Sequence, residues 1–335
     1  MNNRLLNKEC SCPILLLPFF ALGLLAGVVK SDLQVPKQIY EILTVLLMLS
    51  IGIKGGLALH SNAGSIIWWH LGIIMSLGFI IPVLLLPILR RLVNLARADA
   101  ISIAAHYGSV SAGTFAVAWA LAESNQLSLA PETTLYLVIL ELPAIIIMLA
   151  LYHWKMQPAA SPSGVTPEHK KHGIGAILHE SLTSRGVILL MGGVAIGWLY
   201  GPTGLASIEG LVINGFSALL ALFLLEMGIT TARICRPLPI KLWRLVVFAA
   251  LAPLVLMWPG LLLGFALGLP TGSILVLTAL TASASYIAAP AAIRAAIPEA
   301  DIGKAMLAAL GVTFPLNVLV YVPMLSIMLK SWNAV

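Results

Sequence analysis

Small polar residues interrupt an otherwise apolar stretch between residues 99 and 122. The stretch is long enough to cross a bilayer as a helix, yet its middle reads H-Y-G-S-V-S-A-G-T. Glycines and hydroxyls at this density predict a helix that is broken inside the membrane, where N–H and C=O groups lose their helical partners. The residues that could bind a solute at this break are Gly108, Ser109, Ser111, Gly113 and Thr114.

A second stretch, between residues 275 and 296, has the same character. Its candidate binding residues are Ser283, Ser285, Tyr286 and Pro290. Because proline is favoured at the first position of a helix, Pro290 is expected to open the second half of this broken helix.

The two interrupted stretches match in position. Ser109 and Ser285 are 176 residues apart, and Gly52 and Gly228 keep the same separation. Matching interruptions in the two halves of an apolar chain are typical of secondary transporters, whose broken helices bind cargo near the membrane midplane. The alternative is that the small residues only let neighbouring helices pack closely.

The chemistry of a broken helix depends on which half-helix end is exposed. The N–H end carries partial positive charge and favours an anion, whereas carbonyls and hydroxyls suit a hard cation. Neither break contains a basic residue, which favours a small anion held by backbone amides. The serine hydroxyls could cap N–H groups or coordinate an ion, and both roles stay open.

Polar residues elsewhere in the apolar stretches are candidates for binding a coupling ion, because each is costly in lipid. Glu141 and Asn317 could line a cation or proton pathway; the alternatives are a buried ion pair or a carboxylate that caps backbone N–H groups. His106 is either a proton relay or a neutral histidine bonded to a carbonyl. Thr281 is a further candidate for binding the coupling ion.

Composition identifies an integral membrane protein. The 335-residue chain has a mean hydropathy of +1.00 and only 10% charged residues, against roughly 25% in soluble domains. The net charge of +6 therefore does not indicate nucleic-acid binding. The three cysteines build neither a disulfide framework nor a zinc site, and no cofactor is expected.

The apolar runs predict an all-α fold of ten spans in two inverted five-helix repeats, residues 14–154 and 186–330. An odd number of spans in each half places the second half upside down. A periplasmic segment, 1–13, precedes the repeats, and a polar cytoplasmic linker, 155–185, separates them. The predicted spans are 14–29, 39–58, 65–89, 99–122, 133–154, 186–200, 210–232, 242–268, 273–296 and 304–329.

Orientation follows from the lysines and arginines, which are enriched in cytoplasmic loops. Fifteen of the 19 fall on the side of the 155–185 linker. Both termini are therefore expected outside a bacterial inner membrane. Lys54 and Glu226 lie towards span ends, where long side chains are expected to snorkel to the interface.

Five segments along the chain form an ordered set of motifs: L-S-I-G-I-K-G-G, Y-G-S-V-S-A-G-T-F, L-E-L-P-A-I, L-E-M-G and S-A-S-Y-I-A-A-P-A-A-I-R-A-A-I-P. With these motifs, nearly the whole chain resembles the sodium-dependent bicarbonate transporter family, most closely its broad bacterial branch.

The resemblance implies Na⁺-coupled bicarbonate uptake by alternating access, core and gate domains, a homotrimer and, in some members, inhibition by a PII-like signalling protein. The family's binding elements fall on the serines, glycines and threonine named above, and on Tyr286. Cyanobacterial members carry an aspartate where this chain has Tyr286. A proton-coupled or otherwise Na⁺-independent carrier of another small organic anion is therefore the alternative, with Glu141 or His106 in the coupling role.

Two other classes of function compete with transport. An intramembrane enzyme is disfavoured because the chain has no H-E-x-x-H, no G-x-S-x-G and no aspartate pair within its spans. A non-transporting sensor would bind its ligand without moving it.

Overall fold

The computed structural model describes residues 16–33, 35–62, 67–156, 183, 185–236 and 240–333. This part of the chain is helical, without β-strands, and 84% helix. The predicted segment 1–13 and most of the predicted linker lie outside the described residues. The helices are α1 (Leu16–Val28), α2 (Lys37–Asn62), α3 (Trp68–Arg91), α4 (Arg97–Gly108), α5 (Ala112–Ser124), α6 (Leu135–Met156), α7 (Arg185–Leu205), α8 (Phe216–Ile234), α9 (Trp243–Ala266), α10 (Thr271–Thr281), α11 (Ala288–Ala296), α12 (Ile302–Met306), α13 (Phe314–Leu316) and α14 (Val322–Asn333).

Seven of the described helical segments are long and apolar enough to cross a membrane. They coincide with the predicted spans other than the first, the fourth and the ninth. The last of them, Ile302–Trp332, includes α12 to α14 and the π-helical turns between them. The chain is therefore a multi-pass membrane protein, as its composition indicates.

The fourth and ninth predicted spans are each interrupted. α4 ends at Gly108 and α5 begins at Ala112, while α10 ends at Thr281 and α11 begins at Ala288. We refer to residues 109–111 as the first break and residues 282–287 as the second break. The interruptions fall within the two stretches that the sequence singles out.

Pro290 does not open α11, contrary to the sequence prediction. The helix begins two residues earlier, at Ala288. Proline is nevertheless tolerated there, because the first-turn N–H groups of a helix have no intrahelical acceptor.

Close glycine contacts join two pairs of helices. α2 packs along α7, and α1 packs along α8. A methyl group added at Gly193 of α7 would lie 3.0 Å from the Cα of Gly52, and one at Gly197 would lie 2.9 Å from the Cα of Gly56. Small residues four apart on both helices let the two backbones approach closely in lipid.

The two broken helices lie at the centre of the fold. All of α4 from Ala98 onward is buried, as is all of α10 beyond its first residue. α3 and α6 cover α4, while α5 packs against α10 and α14. The outer helices leave large apolar side chains such as Leu84 and Leu262 exposed, as expected of lipid-facing surfaces.

Glu226 and Lys54 do not snorkel, contrary to the sequence prediction. Glu226 is only 7% exposed, because α1 and α2 pack against α8, and its Oε1 accepts a hydrogen bond from Thr230 Oγ1 at 3.1 Å. Lys54 instead points into the protein, where its Nζ lies 2.8 Å from Glu123 Oε2.

Candidate functional site

The two breaks meet and are joined by two hydrogen bonds. The N–H of Ser111 in the first break donates to Ser283 Oγ in the second at 2.9 Å. The N–H of Ser285 donates to the carbonyl of His106, in the last turn of α4, at 2.8 Å. All four residues are at most 2% exposed, so the bonds form away from solvent and lipid.

A serine caps each half-helix that follows a break. Ser111 Oγ accepts from the N–H of Thr114 at 3.1 Å, and Ser285 Oγ accepts from the N–H of Ala289 at 3.2 Å. These bonds satisfy one N–H in each first turn. The sequence left open whether the hydroxyls cap or coordinate an ion, and in this structure they cap.

Other amides at the helix starts stay without a partner. Among the described residues, no acceptor is bonded to the N–H of Ala112, which begins α5, or to that of Ile287, which precedes α11. Unbonded N–H groups at a helix start carry partial positive charge and favour an anion.

A cavity of about 230 Å³ lies against both breaks. Its walls come from the breaks, from the first half of α2, from α6 and from the start of α7. The lining residues are Tyr40, Glu41, Thr44, Met48, Val110, Ser111, Ala112, Leu137, Glu141, Arg185, Leu189, Leu190, Ser285, Tyr286 and Ile287.

Four of the residues that the sequence predicts for the site line this cavity: Ser111, Ser285, Tyr286 and Glu141. The other predicted residues lie outside the lining and support the breaks or pack behind them. They are Gly108, Ser109, Gly113, Thr114, Ser283, Pro290, His106, Thr281 and Asn317.

The first break is held from behind by α3 and α6. Ser109 Oγ donates to the carbonyl of Glu141 at 2.9 Å. A methyl group at Gly108 would lie 2.6 Å from Pro82 and 2.7 Å from Ala144. Glycine is therefore required at position 108 by packing.

Gly113 makes room for an aromatic side chain from the second break. A methyl group there would overlap Tyr286 Oη, and it would lie 3.0 Å from Phe314 and 3.1 Å from Phe223. The rings of Tyr286 and Phe314 are edge to face, with centroids 5.2 Å apart. Tyr286 thus fills the space beside the first turn of α5.

Glu141 presents a carboxylate to the cavity. Its side chain is partly exposed, and within the described chain it forms neither a hydrogen bond nor an ion pair. Because Ser109 binds the carbonyl of the same residue, this carboxylate lies close to the first break. A carboxyl group without a bonded partner at this place can bind a cation or exchange a proton.

The remaining coupling candidates lie behind the cavity. Asn317 Nδ2 donates to the carbonyl of Ala282 at 2.9 Å, and its buried Oδ1 has no donor in the described structure. His106 Nδ1 lies 2.7 Å from the carbonyl of Ser102, which agrees with a neutral histidine bonded to a carbonyl. Thr281 Oγ1 donates to the carbonyl of Thr278 at 3.0 Å.

Sequence reasoning missed the contribution of α2 and α7. Tyr40, Glu41 and Arg185 line the cavity, but no break or repeat marks them. Their only sequence signal is a position at the start of an apolar helix. The crossing of α2 and α7 places them beside the breaks.

Towards its other end, α2 is joined to α5 by an ion pair. Lys54 lies about 20 Å beyond Glu41 along the helix, and its Nζ bonds both carboxylate oxygens of Glu123 at 2.8 and 2.9 Å. Trp119 Nε1 donates to the same carboxylate at 2.9 Å. The cavity lining is thus at one end of α2, and an ion pair with the exposed carboxylate of Glu123 is towards the other.

Comparison with known proteins gives a match at the family level. A family model described as the Na⁺-dependent bicarbonate transporter superfamily matches residues 13–330. No curated protein matches the chain.

Proposed function

Because the chain belongs to the Na⁺-dependent bicarbonate transporter superfamily, we propose that it takes up bicarbonate across the bacterial inner membrane with Na⁺ as the coupling ion. The observation that carries this proposal is the meeting of two broken helices beside a cavity. Ala112 and Ile287 line this cavity, and among the described residues their N–H groups have no bonded acceptor.

The anion binds between these two amides. Each belongs to a half-helix start, so the aligned peptide dipoles add to the local hydrogen bonds. The caps formed by Ser111 and Ser285 keep both starts in place. A cavity of about 230 Å³ suits a small inorganic or organic anion.

A cation accompanies the anion because the carboxylate of Glu141 lines the same cavity. An anion in the cavity faces this carboxylate, and the repulsion between like charges is relieved when a cation or a proton joins them. Na⁺ is the proposed partner, with Asn317 Oδ1, Thr281 and His106 as further candidate groups for the pathway. The alternative is proton coupling through Glu141 or His106, which the tyrosine at position 286 keeps open.

The proposed architecture has two inverted five-helix repeats, residues 14–154 and 186–330, joined by the linker 155–185. Two observations support it. Ala112 and Ala288, which begin the second half-helices, are 176 residues apart, as the repeat requires. In addition, the first helix of each repeat packs against the second helix of the other repeat: α1 packs against α8, and α7 packs against α2.

Alternating access follows from the two ends of α2. We infer that the cavity faces the side of the 155–185 linker, which we place in the cytoplasm, because Arg185 at the end of that linker lines it. The pair Lys54–Glu123 closes the outer side. Opening that side requires α2 to separate from α5, with loss of this ion pair.

A homotrimer and a PII-like cytosolic regulator are proposed from the family resemblance alone. Both termini outside, with the segment 1–13 in the periplasm, are proposed from the distribution of lysines and arginines. The absence of enzymatic activity is proposed from the family and from the lack of catalytic motifs. A regulator would act at the cytoplasmic surface.

Uptake of labelled bicarbonate into proteoliposomes tests the proposal. We expect accumulation when an inward Na⁺ gradient is imposed at constant pH, and little with K⁺ in its place. Accumulation driven by an inward proton gradient without Na⁺ would favour the proton-coupled alternative. Binding of bicarbonate without accumulation under either gradient would favour a sensor.

A further inference from the structure

Arg185 is the one cation among the described residues that line the cavity. It is the first residue of α7, and its side chain is 52% exposed. The cavity wall also holds two carboxylates, Glu41 and Glu141. An arriving anion therefore meets more negative than positive side chains. Ser111 in the first break and Ser285 in the second are each only 2% exposed, so this part of the lining is more buried than Arg185.

The guanidinium of Arg185 is positioned by the backbone of α2. Its Nη2 donates to the carbonyl of Glu41 at 3.2 Å, while Nη1 lies 3.6 Å from the carboxylate oxygen Oε2. The second distance exceeds that of a good hydrogen bond. A guanidinium has five N–H donors, so most of them remain available to a solute that enters the cavity.

We propose that Arg185 is a specificity-determining residue that attracts the anion and passes it to the amides of the two breaks, and that Glu41 weakens this attraction. The inference rests on the proposed function, because it assumes an anionic cargo. A positive charge at the rim of a site raises the rate at which an anion arrives and, at about 4 Å, also strengthens its binding. An arginine that only anchors α7 at the membrane surface would not have this effect.

Two substitutions should change the apparent KM for bicarbonate in opposite directions. Arg185→Gln removes the charge, and we expect KM to rise about fivefold, the effect of one unit charge at about 4 Å in water. Glu41→Gln removes the opposing charge but keeps the carbonyl that positions Arg185, so KM should fall. Arg185→Lys restores the charge without the planar fork and should recover part of the loss.

Initial uptake rates in proteoliposomes, at constant Na⁺ and a constant mildly alkaline pH, measure these shifts. Arg244→Gln is the matched control, since this exposed arginine lies over Trp243 and outside the cavity lining, and its KM should not change. Increasing ionic strength should raise the KM of the wild-type protein and leave that of Arg185→Gln nearly constant, because salt screens an exposed charge.

The outcomes separate this inference from the proposed function. A wild-type KM in Arg185→Gln, or an increase of KM in both Arg185→Gln and Glu41→Gln, overturns the role of Arg185. Absence of bicarbonate uptake by the wild-type protein contradicts the proposed function instead. In that case calorimetric titration of bicarbonate into the solubilised protein decides the inference: weaker binding to Arg185→Gln supports it, and equal binding overturns it.

Discussion

The two breaks differ in length and in how firmly they are held. The first spans three residues, all at most 5% exposed, and Ser109 bonds it to α6. The second spans six residues and ends at Ile287, which is 42% exposed. The first break is thus anchored to α6. The second is anchored at its start by Asn317, which bonds the carbonyl of Ala282. Its middle is bonded to the first break and α4 through Ser283 and Ser285. The comparison indicates that the middle of the second break depends on the first.

The two bonds between the breaks also differ in kind. Ser111 donates to a side chain, Ser283 Oγ, whereas Ser285 donates to a main-chain carbonyl, that of His106. Only the first of these bonds can be removed by changing a side chain. Single substitutions can therefore test the difference between the breaks. The expected loss of stability is largest where a substitution overpacks the site and smallest where it removes one hydrogen bond.

Gly113→Ala should have the largest effect, because its methyl group would overlap Tyr286 and crowd Phe314. We expect a loss of about 1–3 kcal/mol in stability, typical of overpacking, and loss of uptake. Thermal unfolding in detergent and proteoliposome uptake measure both effects. Tyr286→Phe in the same protein removes the overlapping oxygen and should restore part of each.

The control for this substitution is Gly72→Ala in α3. No atom lies within 4 Å of the added methyl group there, so the unfolding temperature should stay constant or rise. Equal behaviour of the two alanine variants would show that the contact between Gly113 and the second break does not constrain the site.

Glu141→Gln tests the cation that accompanies the anion beside the first break. We expect the Na⁺ stimulation of uptake to fall about tenfold or more, since a charge-assisted contact contributes about 1.5–3 kcal/mol. Bicarbonate binding at saturating Na⁺ should change less. Equal loss of Na⁺ stimulation and of bicarbonate binding would instead indicate a structural role for the carboxylate.

Ser283→Ala and Ser285→Ala compare a contact between the breaks with a contact inside one of them. Ser283→Ala leaves the buried N–H of Ser111 without an acceptor, which costs about 1–3 kcal/mol. Ser285→Ala removes one helix cap, at a cost of about 1 kcal/mol. Unfolding in detergent should therefore show the larger loss for Ser283→Ala, and the reverse order would contradict the dependence of the second break on the first.

Ser109→Ala should have a small effect on stability, about 0.5–1.5 kcal/mol for one hydrogen bond, which is comparable with that of Ser285→Ala. Uptake should nevertheless decrease, because Ser109 holds the first break against α6. If Ser109→Ala and Ser285→Ala, made separately, both leave uptake unchanged in well-expressed protein, the assignment of the site to the breaks is wrong.

The sequence predicts the breaks because their signals are local. Glycines and serines within an apolar run mark where the helices stop. The 176-residue separation also relates Ala112 to Ala288, the first residues of α5 and α11. The position of Pro290 is misjudged by two residues, since a proline is accepted throughout the first turn of a helix.

The rest of the site depends on contacts between distant helices. Tyr40 and Arg185 line the cavity only because α2 crosses α7 beside the breaks, and a single sequence contains no signal for that crossing. The burial of Glu226 and the pairing of Lys54 with Glu123 were missed for the same reason. Both depend on helices that are far apart along the chain.

The most direct test of anion binding at the breaks is the distance from a bound anion to their amides. Solid-state NMR on proteoliposomes with ¹³C-bicarbonate and protein labelled with ¹⁵N can measure it through dipolar dephasing. We predict carbon-to-nitrogen distances of about 4 Å, as expected for an N–H···O contact, to Ala112 and to Ile287. Dephasing by neither nitrogen, in a preparation that takes up bicarbonate, would contradict the binding of the anion by these amides.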